Sequence, residues 1–120
     1  MYILIADDHQ ATRDSLEAFL TSVFPSLDVR QARNGCELLD LVADERPDLI
    51  LMDIEMPHLD GLQAIRQIKA SWPRVKIIAL ITREEERQAA LDAGAETCVF
   101  KGSPSKQLRD TVSALLAGKV

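Results

Sequence analysis

The chain has 120 residues, 47% of them hydrophobic and 28% charged, which suits one compact globular domain spanning residues 1–120. Its formal charge of -5, from 14 basic and 19 acidic residues, argues against direct binding of nucleic acid, which needs clustered positive charge. No stretch resembles a signal peptide or membrane span, and Cys36 and Cys98 lack the spacing of a zinc site or disulfide framework, so a cytoplasmic protein is expected.

Short apolar runs alternate with amphipathic stretches along the chain, which predicts alternating strands and helices around a mostly parallel sheet. In chain order we predict strands at 2–6, 28–32, 49–53, 76–81 and 97–101, each followed by a helix, with apolar helix positions at 16–23, 38–42, 62–68, 89–93 and 108–116. Three strands are nearly continuous in apolar residues, as strands covered on both faces require. The second strand is more polar, which indicates an edge position.

Acidic residues follow two of these strands at the point where each ends. Asp7 and Asp8 come directly after the first strand, and Asp53 closes the third. Ligands of parallel α/β sheets bind beyond the carboxyl ends of the strands, and the order 2-1-3-4-5 would place these carboxylates side by side. Because adjacent carboxylates repel one another, a cation would relieve them, and an oxygen-only ligand set with room for water suits Mg²⁺.

A lysine at the end of the fifth strand, Lys101, would bring an ammonium group to the same edge of the sheet. An aspartate beside a metal and an ammonium group can attack phosphorus and carry a covalent aspartyl phosphate. Each feature alone has an ordinary structural explanation as a helix cap, a turn residue or a solvated side chain. The combination at the carboxyl ends of three strands favours a site. We place His9 and His58 in loops and assign neither a metal role.

Three segments carry a resemblance to a known family. They are Ile-Ala-Asp-Asp-His at 5–9, the run from Asp48 to Gly61 that contains Met-Asp-Ile-Glu-Met-Pro-His-Leu-Asp-Gly, and Ala-Gly-Ala-Glu-Thr-Cys-Val-Phe-Lys at 93–101. Together they resemble the receiver domain of two-component response regulators, over essentially the whole chain. The opening and closing segments are most similar to receivers that precede a LuxR-type helix-turn-helix domain, the NarL/FixJ group. The resemblance implies a CheY-like, flavodoxin-like (βα)₅ three-layer sandwich.

The resemblance also implies a role for each matching residue. Asp53 would be the phosphoacceptor, with Mg²⁺ bound by Asp8, Asp53 and the main-chain carbonyl of Glu55. Asp7 would act on the metal chiefly through water, and Lys101 would pair with the phosphoryl group. The donor would be a sensor histidine kinase or phosphotransfer protein. Such a domain is a switch with slow self-dephosphorylation, not a turnover enzyme. The family also allows homodimers that form on phosphorylation, and a DNA-binding domain after residue 120 if the chain is a fragment.

Two positions depart from the family pattern. Ile81 lies where the family places Ser or Thr, so Thr82, one residue later, would serve only if the following loop is rearranged. Cys98 lies where an aromatic residue often moves inward after phosphorylation. These departures motivate an alternative function, a receiver-like interaction domain with atypical or absent phosphorylation. A haloacid-dehalogenase-type phosphatase is a further alternative, but it expects Asp-x-Asp after the first strand and a cap domain, whereas this chain has adjacent aspartates.

Overall fold

In the computed structural model of the protein, which describes residues 1–56 and 60–117, strands and helices alternate strictly. The strands are β1 (Tyr2–Ala6), β2 (Asp28–Ala32), β3 (Leu49–Asp53), β4 (Lys76–Ile81) and β5 (Thr97–Phe100). The helices are α1 (Gln10–Val23), α2 (Gly35–Asp44), α3 (Gly61–Ser71), α4 (Glu86–Ala93) and α5 (Ser105–Ala117). The predicted strands are confirmed, with one difference: β5 ends at Phe100, and Lys101 begins the turn that follows.

All five strands are parallel and lie in the order β2-β1-β3-β4-β5. This confirms the predicted flavodoxin-like order, with the more polar β2 at one edge. The register places Ala6 beside Met52, Asp53 beside Leu80, and Ile81 beside Phe100. The central strands therefore end at nearly the same level, and the segments after β1, β3 and β5 all leave from one edge of the sheet.

Helices cover both faces of the sheet because alternate strand residues point to opposite sides. One face packs residues such as Ile5, Leu51 and Leu80 against α1 and α5. The other face packs Leu4, Ile50 and other apolar residues against α2, α3 and α4. Burial on both faces explains why β1, β3 and β4 read as continuous apolar runs in the sequence. Within the described part of the chain, no helix combines the length and apolar character needed to cross a membrane.

Candidate functional site

The carboxyl edge of the sheet brings Asp7, Asp53 and Lys101 together. Asp7 is completely buried and Asp53 is 3% exposed, although both are charged residue types that rarely occur in a core without partners. The Lys101 ammonium Nζ lies 2.7 Å from Asp53 Oδ2 and 3.0 Å from Asp7 Oδ2. The two carboxylates are therefore close neighbours that share one cation. Their convergence follows from the parallel sheet, since each residue lies at or just beyond a strand end.

Asp53 is held by two contacts of different kinds. Its Oδ2 accepts a hydrogen bond from Lys101, and its Oδ1 accepts one of 2.9 Å from the main-chain N–H of Glu55. Burial raises the pKa of Asp53, although both hydrogen bonds act in the opposite direction, and the nearby charge of Asp7 raises it further. Burial works against the charge of Lys101, but its contacts with the two aspartates outweigh burial and raise the pKa of this ammonium.

The buried Asp7 carboxylate has one oxygen, Oδ2, without a well-aligned hydrogen-bond donor. Asp7 Oδ2 is buried and makes no geometrically acceptable hydrogen bond, although Lys101 Nζ lies 3.0 Å away. The contact is thus an ion pair whose atoms are poorly aligned for a hydrogen bond. Two buried carboxylates facing one ammonium group leave an excess of negative charge. The residues present therefore fit an additional cation.

Asp8 and His9 lie on the solvent side of this cluster. The Asp8 side chain is 29% exposed and the His9 side chain 69% exposed. Asp7 Oδ1 accepts a 2.9 Å hydrogen bond from the His9 main-chain N–H, and the His9 ring atom Nδ1 lies 3.1 Å from Asp8 Oδ1. Asp7, Asp8 and His9 offer ligand atoms that all lie within 4.8 Å of one another. The site is therefore buried at Asp7 and open to water at Asp8.

Arg13 supports this edge from α1 and was not predicted from the sequence. Its buried guanidinium donates from Nη1 to the Asp7 main-chain carbonyl at 2.7 Å and from Nε to Gln31 Oε1 at 2.9 Å. It thereby fixes the backbone at Asp7 relative to β2. The sequence did contain an indication of this buried role. Arg13 lies three residues before Leu16 and seven before Leu20, on the inward stripe of α1, where an apolar residue is expected.

Thr82 lies directly after β4, where its hydroxyl Oγ1 lies 3.2 Å from Glu86 Oε1 and donates to it. The main-chain N–H groups of Thr82 and Arg83 donate to the same oxygen at 2.8 and 2.9 Å. Burial works against the charge of Glu86, but these donors outweigh it and lower its pKa. The neighbouring Glu86 carboxyl raises the pKa of Glu55. In this structure the Thr82 hydroxyl is engaged with α4.

The two positions that depart from the family pattern are both buried beneath α4. Ile81 is fully buried, and Cys98 is 5% exposed with its Sγ 3.8 Å from the Arg87 main-chain carbonyl. Burial raises the pKa of the Cys98 thiol. The aromatic residue on this part of β5 is Phe100, two residues after Cys98, and the Arg87 guanidinium lies 5.6 Å from the centre of its ring. The face beneath α4 is therefore packed with apolar atoms at the two expected switch positions.

Replacing Glu86 with alanine should lower the free energy of unfolding by about 1 kcal/mol, because two main-chain donors before α4 lose their acceptor. Urea denaturation followed by circular dichroism measures this change. Glu84→Ala is a matched control, since Glu84 is exposed and forms a surface ion pair with Arg87, a kind of contact that contributes little stability. Equal stability of the two variants would contradict the role given to Glu86.

Comparison with known proteins identifies the family. The family model of the response regulator receiver domain matches residues 3–113. The chain belongs to this receiver-domain family. Among curated proteins, the receiver is 39% identical over 118 residues to the response regulator MprA of Mycobacterium avium strain 104, covering 97% of this chain and 51% of that protein. MprA of Mycobacterium sp. strain KMS is 40% identical over 116 residues, with coverages of 95% and 50%. This receiver therefore spans about half the length of these relatives.

Solved structures agree with the family and the fold. The signal receiver domain of the DNA-binding response regulator merR from Colwellia psychrerythraea superimposes with a TM-score of 0.91 at 27% identity, covering 98% of both chains. The response regulator TrrA from Thermotoga maritima, solved in complex with Mg²⁺ and BeF, gives a TM-score of 0.87 at 29% identity, with coverages of 95% and 97%. The LuxR-type subgroup of this receiver stays a prediction.

The predicted site residues of this receiver divide into three groups. Asp7, Asp53 and Lys101 are in direct contact through the Lys101 ammonium. Asp8 lies at the entrance, and Glu55 follows Asp53 with its N–H bonded to that carboxylate. Thr82 is bonded to Glu86 instead. His58, which was placed in a loop, lies outside the described residues.

Proposed function

We propose that this receiver accepts a phosphoryl group on Asp53, with Mg²⁺ bound at the acidic edge of the sheet. The single observation that supports this most strongly is the contact of Lys101 Nζ with both Asp53 Oδ2 and Asp7 Oδ2. A lysine this close to two buried carboxylates adds little net stability, because the cost of desolvating the charged groups offsets much of their attraction. Such a group suits a site that must neutralise incoming negative charge.

Each residue has a defined task in this proposal. Asp53 is the nucleophile, and the N–H of Glu55 and the ammonium of Lys101 hold one carboxylate oxygen each. Asp8, Asp53 and the main-chain carbonyl of Glu55 would hold Mg²⁺, with Asp7 acting through water. When bound, the ion supplies charge neutralisation for the transferring oxygens. Lys101 is already at the site and would turn its ammonium toward the phosphoryl oxygens. Turnover of a released substrate is not expected.

The test is phosphorylation by a small-molecule phosphodonor, read by intact-mass spectrometry. Wild-type protein with Mg²⁺ should gain the mass of one phosphoryl group. Removal of divalent ions with a chelator should prevent the gain, and added Mg²⁺ should restore it, because the buried carboxylates would then again have their cation. Unmodified protein, under conditions that label another receiver domain, would contradict the proposal.

The phosphoryl donor in the cell is proposed to be a sensor histidine kinase or a phosphotransfer protein, since the family belongs to two-component systems. Phosphorylation would shift an equilibrium between two conformations and change the surface formed by α4, β5 and α5. Partners of that surface would include a DNA-binding domain, if one follows this receiver, or a second copy of the chain. Thr82 would contribute to the switch only after its hydroxyl leaves Glu86.

A second candidate function is a receiver-like interaction domain that does not depend on phosphorylation. The observation that favours it is the burial of Ile81 and Cys98 beneath α4, together with the bond of Thr82 to Glu86. A domain with this packing has no hydroxyl free at the end of β4 to follow the phosphoryl group. Failure of the intact-mass experiment would favour this candidate.

A further inference from the structure

The imidazole of His9 has no structural task within α1. His9 is the N-cap residue of this helix, with φ -100° and ψ 113°, but its side chain makes no capping hydrogen bond. The ring instead turns back toward the acidic cluster, where Nδ1 lies 3.1 Å from Asp8 Oδ1 and 3.3 Å from Asp7 Oδ1. A helix N-cap normally uses its side chain on the first-turn N–H groups, so this orientation calls for another explanation.

The distances around Nδ1 match those between neighbouring ligands of a metal ion. Nitrogen and oxygen ligands lie about 2.1 Å from a small divalent ion, so two ligands are roughly 3.0 Å apart at a right angle and roughly 3.4 Å apart at the tetrahedral angle of Zn²⁺. Both measured separations, 3.1 and 3.3 Å, lie between these values. An ion pair between protonated His9 and the carboxylates would have similar distances, but it would not make cation binding depend on the imidazole.

An independent observation also points to a cation at this place. Asp7 Oδ2 is a fully buried carboxylate oxygen without an acceptable hydrogen bond, and its neighbouring cation, Lys101 Nζ at 3.0 Å, lies still closer to Asp53. Asp7 thus presents one oxygen to His9 and the other, unsatisfied, to the cluster with Asp53. Asp8 and His9 are partly open to water, which leaves a path for an ion and space for water ligands. The cluster therefore has the ligand types, the spacing and the charge imbalance that a bound cation requires.

We propose that His9 Nδ1 is a metal ligand of this acidic site, so that the site takes a first-row transition cation such as Zn²⁺ through a nitrogen ligand as well as through carboxylates. Imidazole nitrogen favours transition cations, whereas Mg²⁺ prefers oxygen and keeps several water molecules. His9 would then determine cation selectivity. The inference deepens the proposed function, because it concerns the cation of the same site.

The test is isothermal titration of the protein with Zn²⁺ and, separately, with Mg²⁺, without any phosphodonor. A Cys36→Ser background removes the exposed thiol that would compete for Zn²⁺. His9→Ala should weaken Zn²⁺ binding by about tenfold or more and leave Mg²⁺ binding nearly unchanged. The matched control is His58→Ala, which removes the other histidine of the chain and should leave both affinities as they were.

A spectroscopic readout on unmutated His9 makes the test independent of variant folding. In the Cys36→Ser protein, Zn²⁺ should shift the Nδ1 signal of one imidazole in ¹⁵N spectra, and His9→Ala should remove that signal. Equal Zn²⁺ affinity with and without His9, or a shift that survives in His9→Ala, would overturn the ligand role. If such a protein still accepts phosphate, only the inference fails. If neither cation binds, the inference fails, and the Mg²⁺ site of the proposed function is contradicted as well.

Discussion

Asp53→Asn is expected to abolish phosphorylation completely. The substitution preserves the shape of the side chain and retains an oxygen that can accept the Glu55 N–H. It removes the negative charge that faces Lys101 and the nucleophilic oxygen that would attack phosphorus. An amide cannot form the acyl phosphate under these conditions. Intact-mass measurement after treatment with a small-molecule phosphodonor and Mg²⁺ should therefore show unmodified protein, whereas the wild type gains one phosphoryl group.

The control for this experiment is Asp40→Asn, which changes an exposed aspartate on α2 and should be labelled like the wild type. Hydroxylamine should release the label from the wild type, since an aspartyl phosphate is an activated acyl group. Persistent labelling of Asp53→Asn would place the phosphoryl group on another residue. In that case the convergence of Asp7, Asp53 and Lys101 would need a purely structural explanation.

The strand ends explain why so much of the site could be predicted from the sequence. Asp7, Asp53 and Lys101 each follow a short apolar run, and a parallel sheet must bring such positions to one edge. This reasoning uses only the period and order of the strands. It needs no knowledge of side-chain contacts, but it depends on the strand order 2-1-3-4-5, which the family resemblance implied and the structure confirms.

The contacts that shape the site depend on geometry that residue patterns do not encode. Arg13 bonds to the Asp7 carbonyl across the start of α1, and Glu86 reaches back to three donors at residues 82 and 83. His9 follows two aspartates in the sequence, as a solvated loop residue would, and only the turn at Asp7 directs its ring toward them. Side-chain direction at helix starts decides such contacts, and sequence spacing leaves it open.

Gly61 shows the same limit, because an Asp-Gly pair is typical of a turn or helix start but does not show why glycine is needed at this position. Asp60 caps α3 by accepting the Leu62 N–H at 2.9 Å, as the turn motif predicts. A Cβ atom at Gly61, however, would lie 2.4 Å from the Ile54 Cα and 2.5 Å from the Ile54 carbonyl oxygen. Glycine is therefore required by the close approach of two backbone segments.

Gly61→Ala is consequently expected to lower the free energy of unfolding by about 3 kcal/mol, toward the upper end for overpacking. The atoms that an added Cβ would meet belong to backbone, so no side chain can turn away to relieve the overlap. Ile54 directly follows Asp53, and its displacement should also slow phosphorylation. Urea denaturation and the intact-mass assay measure the two effects.

Gly102→Ala is the control that separates steric overlap from backbone conformation. Gly102 has a φ of 82°, which disfavours alanine, but an added Cβ would meet no atom within 4 Å. This variant should lose only about 1 kcal/mol, the cost of placing an L-residue in a left-handed conformation. Gly61 has no such positive φ, so a larger loss at Gly61 must come from contact with Ile54. A Gly61→Ala protein as stable as the wild type would show that β3 and the start of α3 can move apart with no loss in the free energy of unfolding. The close packing next to Asp53 would then have no role in holding the phosphoacceptor.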